Sequence, residues 1–158
     1  MKFSVIVPTF NRAALLPACI ESHCSVHLRP LELVVVDDGS SDGTETTTLV
    51  LEQMCTSQGI ESRFPRQVNA GASALRNKEL AHATGQFIQW VDADDTVTSS
   101  GVDAIVGVLV SDDSLDVTYG LVKVVDSEGH SMEATVWRPW GRPLGSRCGF
   151  VRTSSGIP

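Results

Sequence analysis

Two groups of carboxylates stand out by type and spacing. Asp92-Ala93-Asp94-Asp95 follows the apolar run Phe87-Ile88-Gln89-Trp90-Val91, and Asp37-Asp38 follows Leu33-Val34-Val35-Val36. Carboxylates crowded at the end of a buried strand repel one another and resist desolvation, so they oppose folding unless a cation or hydrogen-bond donor joins them. Alternate residues of an extended segment point the same way, which would bring Asp92 and Asp94 together. Two hard oxygen ligands of that kind hold Mg²⁺ or Mn²⁺ with waters and substrate phosphates, and such an ion neutralises a diphosphate leaving group. A carboxylate at the end of the other strand, in Asp37-Asp38, can accept the N–H of a nucleobase or a pair of ribose hydroxyls. The plainer reading of both groups is turn chemistry, since Asp readily shapes turns and caps helices.

Further pieces fall near the same places in the pattern. Pro8-Thr9-Phe10-Asn11-Arg12 ends the first apolar run, and Phe10 could lie against a base or serve as core beneath a loop. Arg76, in Asn69-Ala70-Gly71-Ala72-Ser73-Ala74-Leu75-Arg76-Asn77, stands about one turn into an expected helix, where it could reach phosphate oxygens or pair with a strand-end Asp. Cys19, His23 and His27 are spaced i, i+4, i+8, with Cys24 adjacent, a spacing that suggests zinc only if one helix carries all of them. His27 is expected past the helix end. The four cysteines, Cys19, Cys24, Cys55 and Cys148, contain no C-x-x-C pair and read as structural thiols.

The elements that must position these groups alternate strand and helix. Strands are expected at Phe3 to Val7, Leu31 to Val36, Gly59 to Phe64, Gln86 to Val91 and Asp116 to Val125. Helices are expected from Pro17 to about Cys24, from a capping box at Asp42-Gly43-Thr44-Glu45 to about Cys55, from Gly71 to Ala83 with Gly85 as C-cap, and from a cap at Ser100 through Leu109. The unbroken apolar character of the second strand predicts burial on both faces, as in a parallel sheet. The whole reads as an α/β fold with a mostly parallel sheet. After Glu133 the pattern becomes Gly-, Pro- and Ser-rich loop, so the division expected is a domain over 1–134 and a tail over 135–158.

The net charge of −7 excludes an extended nucleic-acid face. The tail runs the other way, with Arg138, Arg142, Arg147 and Arg152 and no acid. It suits a solvated or self-docking segment, self-association, or contact with a phosphorylated acceptor or membrane surface. No apolar run nears the roughly 20 residues that span a bilayer. The start of the chain lacks the pattern of a signal peptide, so the expected location is cytoplasmic, with contact at the inner face of the membrane as a variant.

Taken together, the motifs resemble the family 2 glycosyltransferases of the GT-A fold over residues 3 to about 130. Val5-Ile6-Val7-Pro8-Thr9-Phe10-Asn11-Arg12 is similar to the family's first strand and loop, and Val34-Val35-Val36-Asp37-Asp38-Gly39-Ser40-Ser41-Asp42-Gly43-Thr44 to its most recognisable signature. Asn69-Ala70-Gly71 with Leu75-Arg76-Asn77 resembles its N-x-G…A-R-N helix, and Asp92-Ala93-Asp94-Asp95 its metal-binding D-x-D segment. The resemblance implies a Rossmann-like sheet and an enzyme that transfers a sugar, mostly with inversion, from a nucleotide-diphosphate sugar (a UDP-sugar foremost) to a hydroxyl of a saccharide or lipid-linked acceptor. It implies that Pro8, Thr9, Phe10, Asn11, Asp38, Arg76 and Asp92 bind the nucleotide. Asp92 and Asp94 would hold Mn²⁺ or Mg²⁺. Phe10 stands where the family commonly has Tyr, Leu75 where it has Ala, and Glu79 where it often has Gly. The family's catalytic base lies in a later segment, and nothing after Glu133 is acidic, so the expectation is a donor-binding half without its base. Two other readings are a non-catalytic nucleotide-sugar-binding fragment and, more remotely, a receiver-like phosphoacceptor domain; the latter normally opens with its acidic pair on strand one and needs a late Lys.

Overall fold

The computed structural model describes residues 1–68, 80–120, 123–126, 128 and 130 with their side chains, and the backbone of 137–138, 142–143 and 149–152. In chain order these form β1 (Phe3–Thr9), α1 (Leu16–Cys24), β2 (Leu31–Asp37), α2 (Thr44–Ser57), β3 (Glu61–Arg63), β4 (Phe87–Trp90), α3 (Ser99–Ser111), β5 (Val117–Tyr119), β6 (Trp137–Arg138), β7 (Arg142–Pro143) and β8 (Gly149–Arg152). Six strands make one sheet in the order β3-β2-β1-β4-β8-β5, and β6 and β7 pair separately. The first four are parallel, and β8 runs antiparallel to both its neighbours. The chain moves outward from β1 through β2 to β3, then returns to the other side of β1 as β4. Such a reversal leaves a crevice outside the carboxyl ends of the strands.

Side-chain alternation sorts the core onto two faces. Phe3, Val5 and Val7 of β1 join Leu31, Leu33 and Val35 of β2 in one cluster with Leu16, Cys19 and Ile20 of α1, Leu51 and Cys55 of α2, and Val102, Val106 and Leu109 of α3. Ile6, Val34, Val36 and Ile88 pack on the opposite face with Leu80 and Ala83. The expected burial of β2 on both faces is therefore observed, down to Glu32 inside the strand.

Pro8 fits within β1 because of the same alternation. The Ile6 carbonyl accepts from Val91 on the β4 side, whereas the Thr9 carbonyl accepts from Asp38 on the β2 side. Residue 8 therefore faces β4, and the β1–β4 ladder has already ended at Ile6 and Trp90. The N–H that proline lacks is one this position does not need.

Several expected boundaries shift for local reasons. α2 begins at Thr44, with Gly43 at φ 93° in the capping position, so Asp42 caps from one residue earlier: its Oδ1 accepts the Thr44 N–H at 3.1 Å. Glu45 does not complete a capping box; it pairs with Arg66. Thr98, not Ser100, caps α3, accepting from the Gly101 N–H at 3.2 Å. Strand β8 forms inside the stretch whose composition reads as loop, and it enters the main sheet between β4 and β5. A four-residue strand within a Gly-, Pro- and Ser-rich stretch leaves little periodic signal; its sheet partners decide it. Residues 69–79, with Arg76 among them, lie outside the described residues, as do Cys148 and the side chains of the four tail arginines.

Gly85 is needed for close approach, not as a left-handed cap. A Cβ there would stand 2.6 Å from Ser4 Oγ, 2.7 Å from Ser4 N and 2.9 Å from Lys2 O. The Gly85 N–H donates to Ser4 Oγ, which donates to the buried Glu32. The zinc spacing does not close either. α1 ends at Cys24, and the exposed His27 contacts Ser99 and Asp103 instead. Among the described residues no group of three or more His, Cys, Asp or Glu side chains is arranged to hold a metal. Cys24 and Cys55 sit with their sulfurs 4.0 Å apart between α1 and α2. His23 is buried; its Nδ1–H donates to the Cys19 carbonyl at 2.8 Å, and burial outweighs that bond in holding its pKa below the ordinary value.

Two outcomes follow from this packing. Gly85→Ala must displace backbone, and it should lower stability by about 1–3 kcal/mol, read as an earlier urea midpoint at unchanged slope. Folded His23 resists a proton that the unfolded chain accepts near pH ~6.5. Stability should therefore fall as pH drops from about 7 toward 5, and His23→Met should flatten that fall. Equal slopes in the two proteins would place the acid sensitivity elsewhere.

Candidate nucleotide site at the carboxyl edge of the sheet

The ends of β1, β2 and β4 lie side by side. Thr9 is paired with Asp37 in register, and the Asp38 N–H donates to the Thr9 carbonyl at 2.9 Å. Val91 donates to Ile6 at 3.0 Å, which carries the chain into Asp92 on the other side of β1. The sheet thus gathers Pro8, Thr9, Phe10, Asn11, Asp38, Asp92 and Asp94 at one edge.

Consecutive residues in a strand face opposite ways, and this separates Asp37 from Asp38. Asp37 is 3% exposed. Its Oδ1 accepts the Ser40 N–H at 2.9 Å and the Ser40 hydroxyl at 2.5 Å. Its Oδ2 faces Arg66 Nε at 3.4 Å. Arg66 also pairs with Glu45 at the start of α2 and donates to the Ser40 carbonyl at 2.7 Å. Asp37 is thus committed to the turn, as the plainer reading of the cluster supposes. Asp38, 4% exposed, accepts from Gln67 Nε2 at 2.7 Å. Gln67 is held by its own N–H, which donates to the Asp37 carbonyl at 2.9 Å.

The β1–α1 loop is strapped to the turn after β2. Asn11 takes φ 51°, a left-handed conformation that asparagine tolerates. Its N–H donates to Ser40 Oγ at 2.8 Å and its Oδ1 accepts from Ser41 N at 2.9 Å. Arg12 N and Ala13 N donate to Thr44 Oγ1 and Asp42 Oδ2. The Thr44 hydroxyl first, and the Ala13 N–H after it, hold the Asp42 carboxyl below its usual range. Phe10 at the tip is 45% exposed, whereas Thr9 is buried and its Oγ1 makes no hydrogen bond among the described residues.

The D-x-D segment is a turn, not the extended run expected from alternation. The Asp95 N–H donates to the Asp92 carbonyl at 3.0 Å, so the chain reverses over 92–95, burying Ala93 and leaving Asp92, Asp94 and Asp95 exposed. Strand pairing has ended by then, and nothing keeps the backbone pleated. Desolvation first, then the charges of Asp92 and Asp94, raise the pKa of Asp95. Among the described residues Arg12 pairs with this turn, its Nε 3.8 Å from Asp94 Oδ2, both side chains about half exposed. This is an exposed cluster of hard oxygen donors with an excess of negative charge, but its side chains do not by themselves form a group of three that could hold a metal ion, so a divalent cation there would take the rest of its shell from phosphate and water.

Residue types alone did not reveal Arg66 and Gln67. Their hint is positional: they follow β3, the strand beside β2, so they lie opposite Asp37. With Gly39 and Val68 they line an open depression of about 570 Å³.

Residues 4–156 match the family model described as Glycosyl transferase family 2. An uncharacterised glycosyltransferase of Escherichia coli K12, YibD, is 33% identical over 73% of this chain and 32% of its own length. The GalNAc(5)-diNAcBac-PP-undecaprenol beta-1,3-glucosyltransferase of Campylobacter jejuni is 34% identical over 66% of this chain and 33% of its own length. The chain therefore spans about a third of the length of these curated relatives. Among solved structures, S. aureus TarS 1-349 in complex with UDP-GlcNAc superposes with a TM-score of 0.66 at 26% identity, covering 86% of this chain and 38% of that one. The mannosyltransferase PcManGT of Pyrobaculum calidifontis, in complex with GDP-Man and Mn²⁺, gives 0.67 at 26% identity, covering 78% and 35%.

Removing the Arg66 side chain leaves the buried Asp37 oxygen without its cation and frees the turn that carries Asp38. Arg66→Ala should lower stability by about 1–2 kcal/mol, measured by urea denaturation. An unchanged midpoint would show that Ser40 alone holds Asp37.

Proposed function

Because the chain belongs to glycosyl transferase family 2 and has the GT-A fold, we propose that its carboxyl strand edge binds a nucleoside-diphosphate sugar with a divalent cation and presents the sugar for transfer to an acceptor hydroxyl. The observation that carries this reading is the convergence of Asp38, Asp92, Asp94 and the strapped loop over 9–12 at the reversal point of the sheet. On this reading Asp38 accepts a hydrogen bond from the base. Phe10, half exposed at the loop tip, offers a face to it, while Pro8 and Thr9 wall the pocket. Asn11 acts as the strap, its polar atoms engaged with Ser40 and Ser41. Arg76 is assigned to the phosphates by resemblance alone.

Asp92 and Asp94 would hold Mn²⁺ or Mg²⁺, which supplies charge neutralisation for the departing diphosphate. Support comes from the donor chemistry of the turn and from the Mn²⁺ that accompanies GDP-Man in the mannosyltransferase complex. Transfer with inversion further requires a carboxylate base beside the acceptor. We assign that base to none of the carboxylates at this edge: Asp38 is engaged by Gln67, Asp37 by Ser40 and Arg66, and Asp92 and Asp94 by the cation. A non-catalytic nucleotide-sugar-binding fragment shares the whole of this site and differs only in the missing base. No helix among the described residues is long and apolar enough to cross a membrane. A cytoplasmic setting, at the membrane face where the acceptor is lipid-linked, accompanies the proposal, and the undecaprenol-linked substrate for which the Campylobacter relative is named supports it.

Titration calorimetry with UDP and Mn²⁺ tests the site. Asp38→Ala should weaken nucleotide binding about 10- to 100-fold, the scale of a hydrogen bond to a charged group. Asp94→Ala should leave UDP binding indifferent to Mn²⁺. If neither UDP nor GDP binds the wild-type protein in the presence of Mn²⁺, the proposal is wrong.

A further inference from the structure

Cys24 is the last residue of α1, and Cys55 lies in the last turn of α2. Their sulfurs stand 4.0 Å apart although the residues are 31 positions apart in the chain. Both are buried, Cys24 at 6% exposure and Cys55 at 0%. Cys19, in contrast, turns its sulfur to the Asp92 carbonyl at 3.7 Å. The other ends of the two helices are already tied, since Arg12 N and Ala13 N before α1 donate to Thr44 Oγ1 and Asp42 Oδ2 at the start of α2.

The two thiols are not equivalent. The hydrogen bond from Cys24 first, and the one from Ser62 of β3 after the opposing pull of burial, lower the pKa of Cys55. The bond to Cys55 first, and burial second, raise that of Cys24. Cys55 therefore becomes the thiolate, the form that reacts with oxidants, and Cys24 stands beside it to resolve the product. A disulfide needs its sulfurs about 2.05 Å apart. The remaining approach of about 2 Å is one that rotation about χ1 can supply. We infer that Cys24 and Cys55 form a redox-responsive dithiol, which hydrogen peroxide converts reversibly into a disulfide that clamps the ends of α1 and α2 together. The Cys55 thiolate attacks one peroxide oxygen: an S–O bond forms, the O–O bond breaks, and the departing hydroxide takes up the proton that Cys55 released. The Cys24 sulfur then attacks Cys55: the S–S bond forms, the S–O bond breaks, and the second hydroxide leaves with the Cys24 proton as water. The two thiols lose two electrons in all, and the peroxide is reduced to two waters. A dithiol reductant reverses the change. The inference is independent of the nucleotide-sugar reading.

The test treats the folded full-length chain with hydrogen peroxide and maps its disulfides by mass spectrometry. Digestion with trypsin and a glutamate-specific protease separates Cys19 from Cys24 at Glu21. One bridge should appear, Cys24 to Cys55, with the protein lighter by two hydrogens. Its urea midpoint should rise by roughly 1–2 M, because the closed loop constrains the unfolded chain. Dithiothreitol should return both values. Cys24→Ser and Cys55→Ala should each form no bridge and show no peroxide-induced rise. The wild-type map decides by itself if either variant fails to fold. A bridge to Cys19 or Cys148 instead would overturn the inference. So would sulfinic acid at Cys55 with Cys24 still a thiol, or both thiols surviving peroxide. A Cys24–Cys55 bridge that lowers the urea midpoint would overturn the clamp.

Discussion

A buried carboxylate with its own cation shapes the working edge of this sheet. Asp37 ends β2 almost fully enclosed, and its oxygens are met by Ser40 on one side and Arg66 on the other. Carboxylate burial without partners would be strongly unfavourable. The partners come from three places: the turn after β2, the residues following β3, and, through Arg66, the first turn of α2. Because Asp37 holds those pieces at fixed separations, Asp38 emerges on the opposite side of the strand in a defined position. Asn11 and Ser40 then tie the loop after β1 to the same turn.

The two ends of the sheet treat charge differently. At the amino end, Glu32 is wholly buried and satisfied by its own chain: the Ser4 hydroxyl at 2.5 Å, the Thr84 N–H at 2.8 Å and the Thr84 hydroxyl at 3.0 Å, with Lys2 and Arg63 nearby. Gly85 permits that network by letting two backbones approach. At the carboxyl end Asp92, Asp94 and Asp95 are exposed together, and desolvation first, then the charges of Asp92 and Asp94, raise the pKa of Asp95. Saturated charge at one end serves folding. Unsaturated charge at the other suits a ligand that brings its own cation and phosphates.

The crevice itself follows from strand order. β4 leaves β1 after Trp90, while β2 stays paired with β1 as far as Thr9. The difference opens a gap beside the end of β1, and Pro8 marks it chemically, as a residue that cannot donate where no neighbour remains to accept. The antiparallel β8 then closes the far side of β4.

Much of this was written in residue pattern. Short unbroken apolar runs pointed to parallel strands with both faces buried, because successive side chains of a strand turn to opposite faces and both must then be covered. The carboxylate clusters, Thr9, Phe10 and Asn11 could be placed near one another from sequence because each follows an apolar run and so falls at a strand end. Tertiary structure decided which carboxylate does what. Asp37 and Asp38 are equivalent in sequence, and only the facing of β2 and the arrival of Arg66 and Gln67 from the neighbouring strand commit one to the turn with Ser40 and Arg66 and set the other against Gln67. The turn over 92–95, the cap supplied by Asp42 and the insertion of β8 were likewise set by partners distant in the chain. Local pattern encodes periodicity and burial, but a hydrogen bond across a sheet depends on two segments whose separation no local pattern records.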